Sequence, residues 1–264
     1  KGYRHIPYAY KLTNTAGKSN DKEPGDIGMN FVDWMSSEPF DVGVCCSAVI
    51  GNMMNKEPED IKNEKRWFEC SKRYGAYGRS GGNGGLMRTA YVGCYYDSKI
   101  DILKHAEDIC KMTHWDEEAI YDCKLVSVII HELIKYGMKE LISYYTFDDS
   151  YYGNKYRKFE VGEVGFNVKS SGYGVNSLLC AVHSVLTTDN FRDAVVKAVN
   201  MGGDTDTIGA ITGSIAGALY GVEEIPMEWI LALNEGIRGQ INGISEVAYN
   251  NLMKGGVKGE MWNT

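Results

Sequence analysis

A chain of 264 residues is long enough for one large domain, or two small ones, with a full hydrophobic core. Its composition, 44% apolar and 24% charged, is that of an ordinary globular protein. A net charge of −7, with no basic stripe interleaved with aromatic residues, argues against a nucleic-acid groove. No apolar run reaches membrane-spanning length and the start lacks a signal-peptide pattern, so a cytoplasmic protein, expected as a monomer, follows. The seven cysteines are scattered, without a C-x-x-C pair or zinc spacing, which predicts reduced thiols.

Taken in chain order, residues 1–26 are polar and rich in turn formers, and read as an N-terminal arm or loop. Residues 27–264 then read as one domain. Ile27, Phe31, Trp34 and Met35 have helical spacing, and Ser36-Ser37-Glu38-Pro39 ends that pattern. Asp41 precedes a second helical run through Val44, Ala48, Val49 and Met53, either as a cap or as a site residue. Gly75 to Gly85 holds six glycines in eleven residues, a loop with a turn or functional role. A helix is expected from Leu86, and another from the acidic start at Thr113–Glu118 to about Tyr136.

Residues 144–171 are rich in tyrosine and charge and read as an insertion or lid loop. Helices are expected at 176–186, 190–201 and 206–220. The last carries Gly209, Gly213 and Gly217 at every fourth position, a smooth ridge that lets a neighbouring helix come close. Strand-like alternation is scarce, so the fold class is all-α.

The most chemically loaded stretch is Gly202-Gly203-Asp204-Thr205-Asp206-Thr207. It sets two carboxylates and a hydroxyl, Asp204, Asp206 and Thr207, on a glycine-flanked turn that opens a helix. Hard cations such as Mg2+ take oxygen ligands of this kind, and the helix start also suits phosphate. A plain N-cap is the competing reading. Asn83-Gly84-Gly85 could be a tight turn, or could cradle a diphosphate with its backbone.

Five segments in order resemble the ADP-ribosylglycohydrolase family, of the dinitrogenase-reductase-activating type. Gly82-Asn83-Gly84-Gly85-Leu86-Met87-Arg88 is similar to its G-N-G-S-L-M-R signature, and Thr113-His114 to its T-H-P-D segment. Ala198 to Gly221 is similar to its metal-binding signature. Phe31-Val32-Asp33-Trp34 with Phe40-Asp41-Val42-Gly43, and Ile225-Pro226 with Trp229, match two further segments.

The resemblance implies an all-α fold and hydrolysis of ADP-ribose from a modified protein side chain or a small ADP-ribosyl compound. It implies Mg2+, or Mn2+, at a two-metal site to which Asp204, Asp206 and Thr207 contribute, the two acids being catalytic. It places Asp41, Asn83, Gly84, Gly85, Met87, His114, Gly172 and Tyr173 against the substrate. Arg88 keeps an open role.

The chain departs from the family in two ways. Glycine stands at 85 where the family has serine, which is read as the loss of one hydroxyl contact to substrate. The second acidic motif, T-D-D-T, does not occur, and Thr13-Asn14-Thr15 does not replace it. The start at Lys1 is read as a missing N-terminal segment, and little turnover is expected from residues 1–264 themselves. A catalytically impaired ADP-ribose-binding or structural relative is the alternative.

Overall fold

In the computed structural model, residues 24–78, 80–148 and 168–254 are described. The expected arm up to residue 23, and residues 149–167 of the expected lid loop, lie outside them. Among the described residues the secondary structure is helical, apart from one isolated antiparallel bridge between Gly82 and Tyr173. The all-α expectation is met.

Helix α1 (Pro24–Ser36) begins earlier than the apolar pattern suggested, and the chain turns at Glu38, whose φ is 51°. Helix α2 (Val44–Met53) follows, then a single turn, α3 (Pro58–Ile61), and α4 (Glu64–Gly75). These form a satellite core around Phe31, Trp67, Val49 and Ile50, with Phe31 and Trp67 edge to face at 5.6 Å.

The main core surrounds α7 (Glu117–Tyr136), which is buried along most of its length. Its start is capped as its acids suggested: Asp116 accepts from the Glu118 and Ala119 amides. Its end is the left-handed Gly137, with φ 63°. Helices α5 (Leu86–Tyr95) and α6 (Lys99–Lys111) pack on one side of it. α5 crosses very closely, since a Cβ at Gly93 would fall 2.2 Å from the Ser127 carbonyl oxygen.

After the single turn α8 (Glu140–Ser143), helices α9 (Gly174–Leu186), α10 (Phe191–Asn200) and α11 (Thr205–Tyr220) cover the other side. The glycine ridge of α11 faces α10: Cβ positions at Gly209, Gly213 and Gly217 lie 3.1–4.0 Å from Val199, Val195 and Phe191. Helices α12 (Met227–Ala232) and α13 (Glu235–Lys254) complete the described chain. All seven cysteines are free thiols. Among the described residues, no helix is long and apolar enough to cross a membrane.

Candidate active site

Two loops separated by some ninety residues carry the site. The Gly81 and Gly82 strand segment pairs with Tyr173 and Gly174: the Asn83 amide donates to the Gly172 carbonyl and the Gly174 amide to the Gly81 carbonyl, both at 2.9 Å. A Cβ at 81 would fall 2.9 Å from the Tyr173 ring, so any larger residue there would push that ring aside. This tie delivers the glycine turn to the start of α5 and Gly172 to the start of α9.

The acidic turn arrives from the other direction. Gly202 and Gly203 take φ values of 77° and 65°, a conformation that favours glycine, and a Cβ at 203 would strike Ser170 at 2.6 Å. Asp204 then precedes α11 but makes no capping hydrogen bond. Its Oδ2 instead accepts from Asn83 Nδ2 at 2.6 Å, across 121 positions of sequence. The same Nδ2 donates to Ser177 Oγ at 2.9 Å, so the buried Asn83 locks the glycine turn, α9 and the acidic turn together.

The result is one cavity of about 330 Å3. Asp41, Asn83, Gly84, Met87 and His114 line it, together with Gly172, Asp204, Asp206 and Thr207. Gly85 and Tyr173 are not part of the lining. A side chain at 85 would point toward Cys110 Sγ at 3.2 Å and toward Cys123 Sγ and the buried Nδ1 of His114, both at 3.5 Å, and so away from open cavity space. Asp41 is exposed at the mouth; α2 is capped by Gly43 without a side-chain bond, so capping is not what Asp41 does.

Sequence reasoning missed several groups. Trp34, Cys45 and Cys46 also line the cavity. Arg88 lies behind it, 5% exposed, donating to the Gly84 carbonyl at 2.9 Å and to Thr113 Oγ1 at 2.5 Å. His114 is held well below the usual histidine range, at about 3, first by burial and then by the Arg88 charge, and is therefore neutral near pH 7. Asp122 is fully buried behind the paired loops, its Oδ2 3.1 Å from the Cβ position of Gly174, and among the described residues neither carboxyl oxygen has a hydrogen-bond partner. Burial pushes its pKa well up.

The cavity's charge is one-sided. Asp41, Asp204 and Asp206 line it and, among the described residues, no lysine or arginine does. The oxygens of Asp204, Asp206 and Thr207 are the right kind for a hard cation. Their number falls short of an octahedral shell, and one Asp204 oxygen already serves Asn83. Among the described residues, no three His, Cys, Asp or Glu side chains gather closely enough to hold a metal ion.

Comparison with known proteins agrees with this architecture. The ADP-ribosylglycohydrolase family profile matches residues 6–256. The chain is 28% identical over 222 residues to the ADP-ribosyl-[dinitrogen reductase] glycohydrolase of Rhodospirillum rubrum, covering 82% of this chain and 68% of that one. It is 28% identical over 193 residues to the ADP-ribosylarginine hydrolase Tri1 of Serratia proteamaculans, covering 69% of this chain and 49% of the relative. A solved structure, the ADP-ribosylglycohydrolase-related protein complex, superposes with a TM-score of 0.70 at 24% identity, covering 95% of this chain and 80% of that one. At that identity the superposition speaks for the fold. The chain belongs to the ADP-ribosylglycohydrolase family.

Proposed function

We propose that this protein hydrolyses the glycosidic bond between ADP-ribose and the guanidinium of a modified arginine. The observation that carries the reading is the 2.6 Å bond from Asn83 to Asp204, which joins a turn suited to diphosphate and an acidic turn in one cavity. The arginine acceptor is favoured by charge. A cavity lined by Asp41, Asp204 and Asp206, with His114 neutral, attracts a cationic group. The Tri1 relative, an ADP-ribosylarginine hydrolase, points the same way.

In the reaction a water oxygen forms a new bond to ribose C1 while the bond from C1 to the guanidine nitrogen breaks, and the leaving group takes up a proton. Positive charge builds on the ribose in between. The carboxylates of Asp204 and Asp206 would stabilise that charge, with Asn83 keeping Asp204 from turning away. Glycine at 82 and 84 lets His114, and at 84 also Cys46, pack against the turn, whose backbone amides would then serve a diphosphate. Asp204, Asp206 and Thr207 would hold Mg2+ or Mn2+, which when bound orients the ribose hydroxyls and acidifies water.

A second reading, ADP-ribose binding without turnover, is favoured by the small donor set of the acidic turn. Release of ADP-ribose from arginine- and serine-linked peptides, with Mg2+ present, separates the two. Slow turnover, in keeping with the absent T-D-D-T motif, is expected for the arginine conjugate over the serine conjugate. Binding of free ADP-ribose with no release from either peptide would favour the second reading, and neither binding nor release would reject both.

A further inference from the structure

Behind the cavity, three polar side chains satisfy one another rather than meeting solvent. Thr113 is fully buried, His114 is 2% exposed and Arg88 is 5% exposed. Arg88 Nη1 donates to the Gly84 carbonyl at 2.9 Å, and Nη2 donates to the Ile109 carbonyl at 3.0 Å and to Thr113 Oγ1 at 2.5 Å. The guanidinium also lies 4.9 Å from the Phe31 ring centroid, which keeps it from swinging. Thr113 Oγ1 is in turn 2.8 Å from His114 Nδ1.

This arrangement selects a tautomer. Arginine has only donors, so Thr113 Oγ1 accepts from it. The Thr113 hydroxyl hydrogen then has His114 Nδ1 as its acceptor. If Nδ1 carried the proton instead, the hydroxyl hydrogen would be buried without an acceptor, which is costly. The adjacent guanidinium reinforces the choice by making the hydroxyl a better donor and a poorer acceptor. The ring hydrogen therefore sits on Nε2. That edge faces the glycine turn: Nε2 is 3.5 Å from the Cβ position of Gly82 and 3.4 Å from that of Gly84. A side chain at either place would cover it.

We propose that Arg88 and Thr113 are positioning residues: they hold His114 as the Nε2–H tautomer and aim that N–H past Gly82 and Gly84 at an oxygen of the bound ADP-ribosyl group. The ligand half of this assignment rests on the proposed function, whereas the tautomer half is a property of the protein alone. The backbone bonds of Arg88 hold the wall, and its bond to Thr113 sets the imidazole, so the two jobs can be separated at Thr113.

The test uses 15N-histidine-labelled protein, with long-range 1H–15N correlations assigned by His114→Gln, and ADP-ribose titrations of the same samples. The wild type should show a protonated Nε2 and an unprotonated Nδ1 at His114. Thr113→Val should give a mixture of tautomers and weaken ADP-ribose binding about tenfold, the scale of one neutral hydrogen bond. Thr113→Ser should restore both. Thr113→Ala adds no bulk and gives the same comparison if the valine variant misfolds. An unchanged tautomer in Thr113→Val, or a changed tautomer with unchanged affinity, would overturn the proposal. Failure of the wild type to bind millimolar ADP-ribose, with the Nε2–H signature present, would reject the functional reading and support the tautomer assignment.

Discussion

The two walls of the cavity are built on opposite terms. One carries Arg88, Thr113, His114 and Asn83, all buried and each hydrogen-bonded to protein. The other carries Asp41 and Asp206, both exposed, with Asp41 between Phe40 and Val44, which are 67% and 72% exposed. The contrast separates shape from chemistry. Changes in the first wall should cost the fold as well as the ligand, and changes in the second the ligand alone.

The largest expected effect is from Arg88→Ala. It strips donors from the Gly84 and Ile109 carbonyls and opens space against Phe31, and should lower stability by about 3 kcal/mol or more in denaturant unfolding. A loss below about 1 kcal/mol would break the contrast between walls. Asp206→Ala should do the reverse. Its stability should stay within about 0.5 kcal/mol of wild type, while release of ADP-ribose from the arginine conjugate falls roughly a hundredfold. A matching loss of stability would mean that the exposed acid is also structural.

Asp122 marks the flaw in the braced wall. Its raised folded pKa means that the folded state keeps a proton that the unfolded chain releases above about pH 3.9. Stability therefore drains away as pH rises toward the folded value, and is retained below the unfolded one. Asp122→Asn removes the titratable group at little change of shape and should raise stability by about 1–2 kcal/mol at pH 7–8, with less gain near pH 4. His114 works in the other direction. With its folded pKa at about 3, the unfolded chain binds the extra proton below about 6.5, so its share of stability is lost as pH falls through that window.

The smallest effect tests the departure at position 85. Gly85→Ser should cost about 1 kcal/mol by crowding Cys110, since its Cβ would lie 3.2 Å from that sulfur, and should gain no affinity for ADP-ribose. A tighter-binding serine variant would show that the side chain reaches the cavity after all.

Much of the frame was legible because it is written at short range. The four-residue spacing of Gly209, Gly213 and Gly217 announces a close helix partner, and α10 is that partner. Asp116 announces the start of α7. Helix α4 is faint because only Trp67 and Ser71 are buried along it. Helix α6 was not read from the sequence, although Ile102, Ala106 and Cys110 form its buried stripe.

The site is harder to read because it is made at long range. Asn83 meets Asp204 across 121 positions, and Arg88 meets Thr113 across 25. No local pattern marks Ser177 as the second partner of Asn83, beyond its being a buried hydroxyl in an apolar helix. The resemblance placed Asn83, His114 and Asp204 near one ligand but was silent about what braces them. Gly85 shows the converse: a motif position can sit beside the site and still point a side chain away from open cavity space.

The central claim is that the glycine turn and the acidic turn form one ADP-ribose site joined by Asn83. Isothermal titration of ADP-ribose into residues 1–264 and into Asn83→Ala tests it most directly. The account predicts saturable binding by the wild type and at least about tenfold weaker binding by the variant, which loses the charge-assisted bond to Asp204. Equal binding by both chains, or no binding by the wild type at millimolar ADP-ribose, would contradict it.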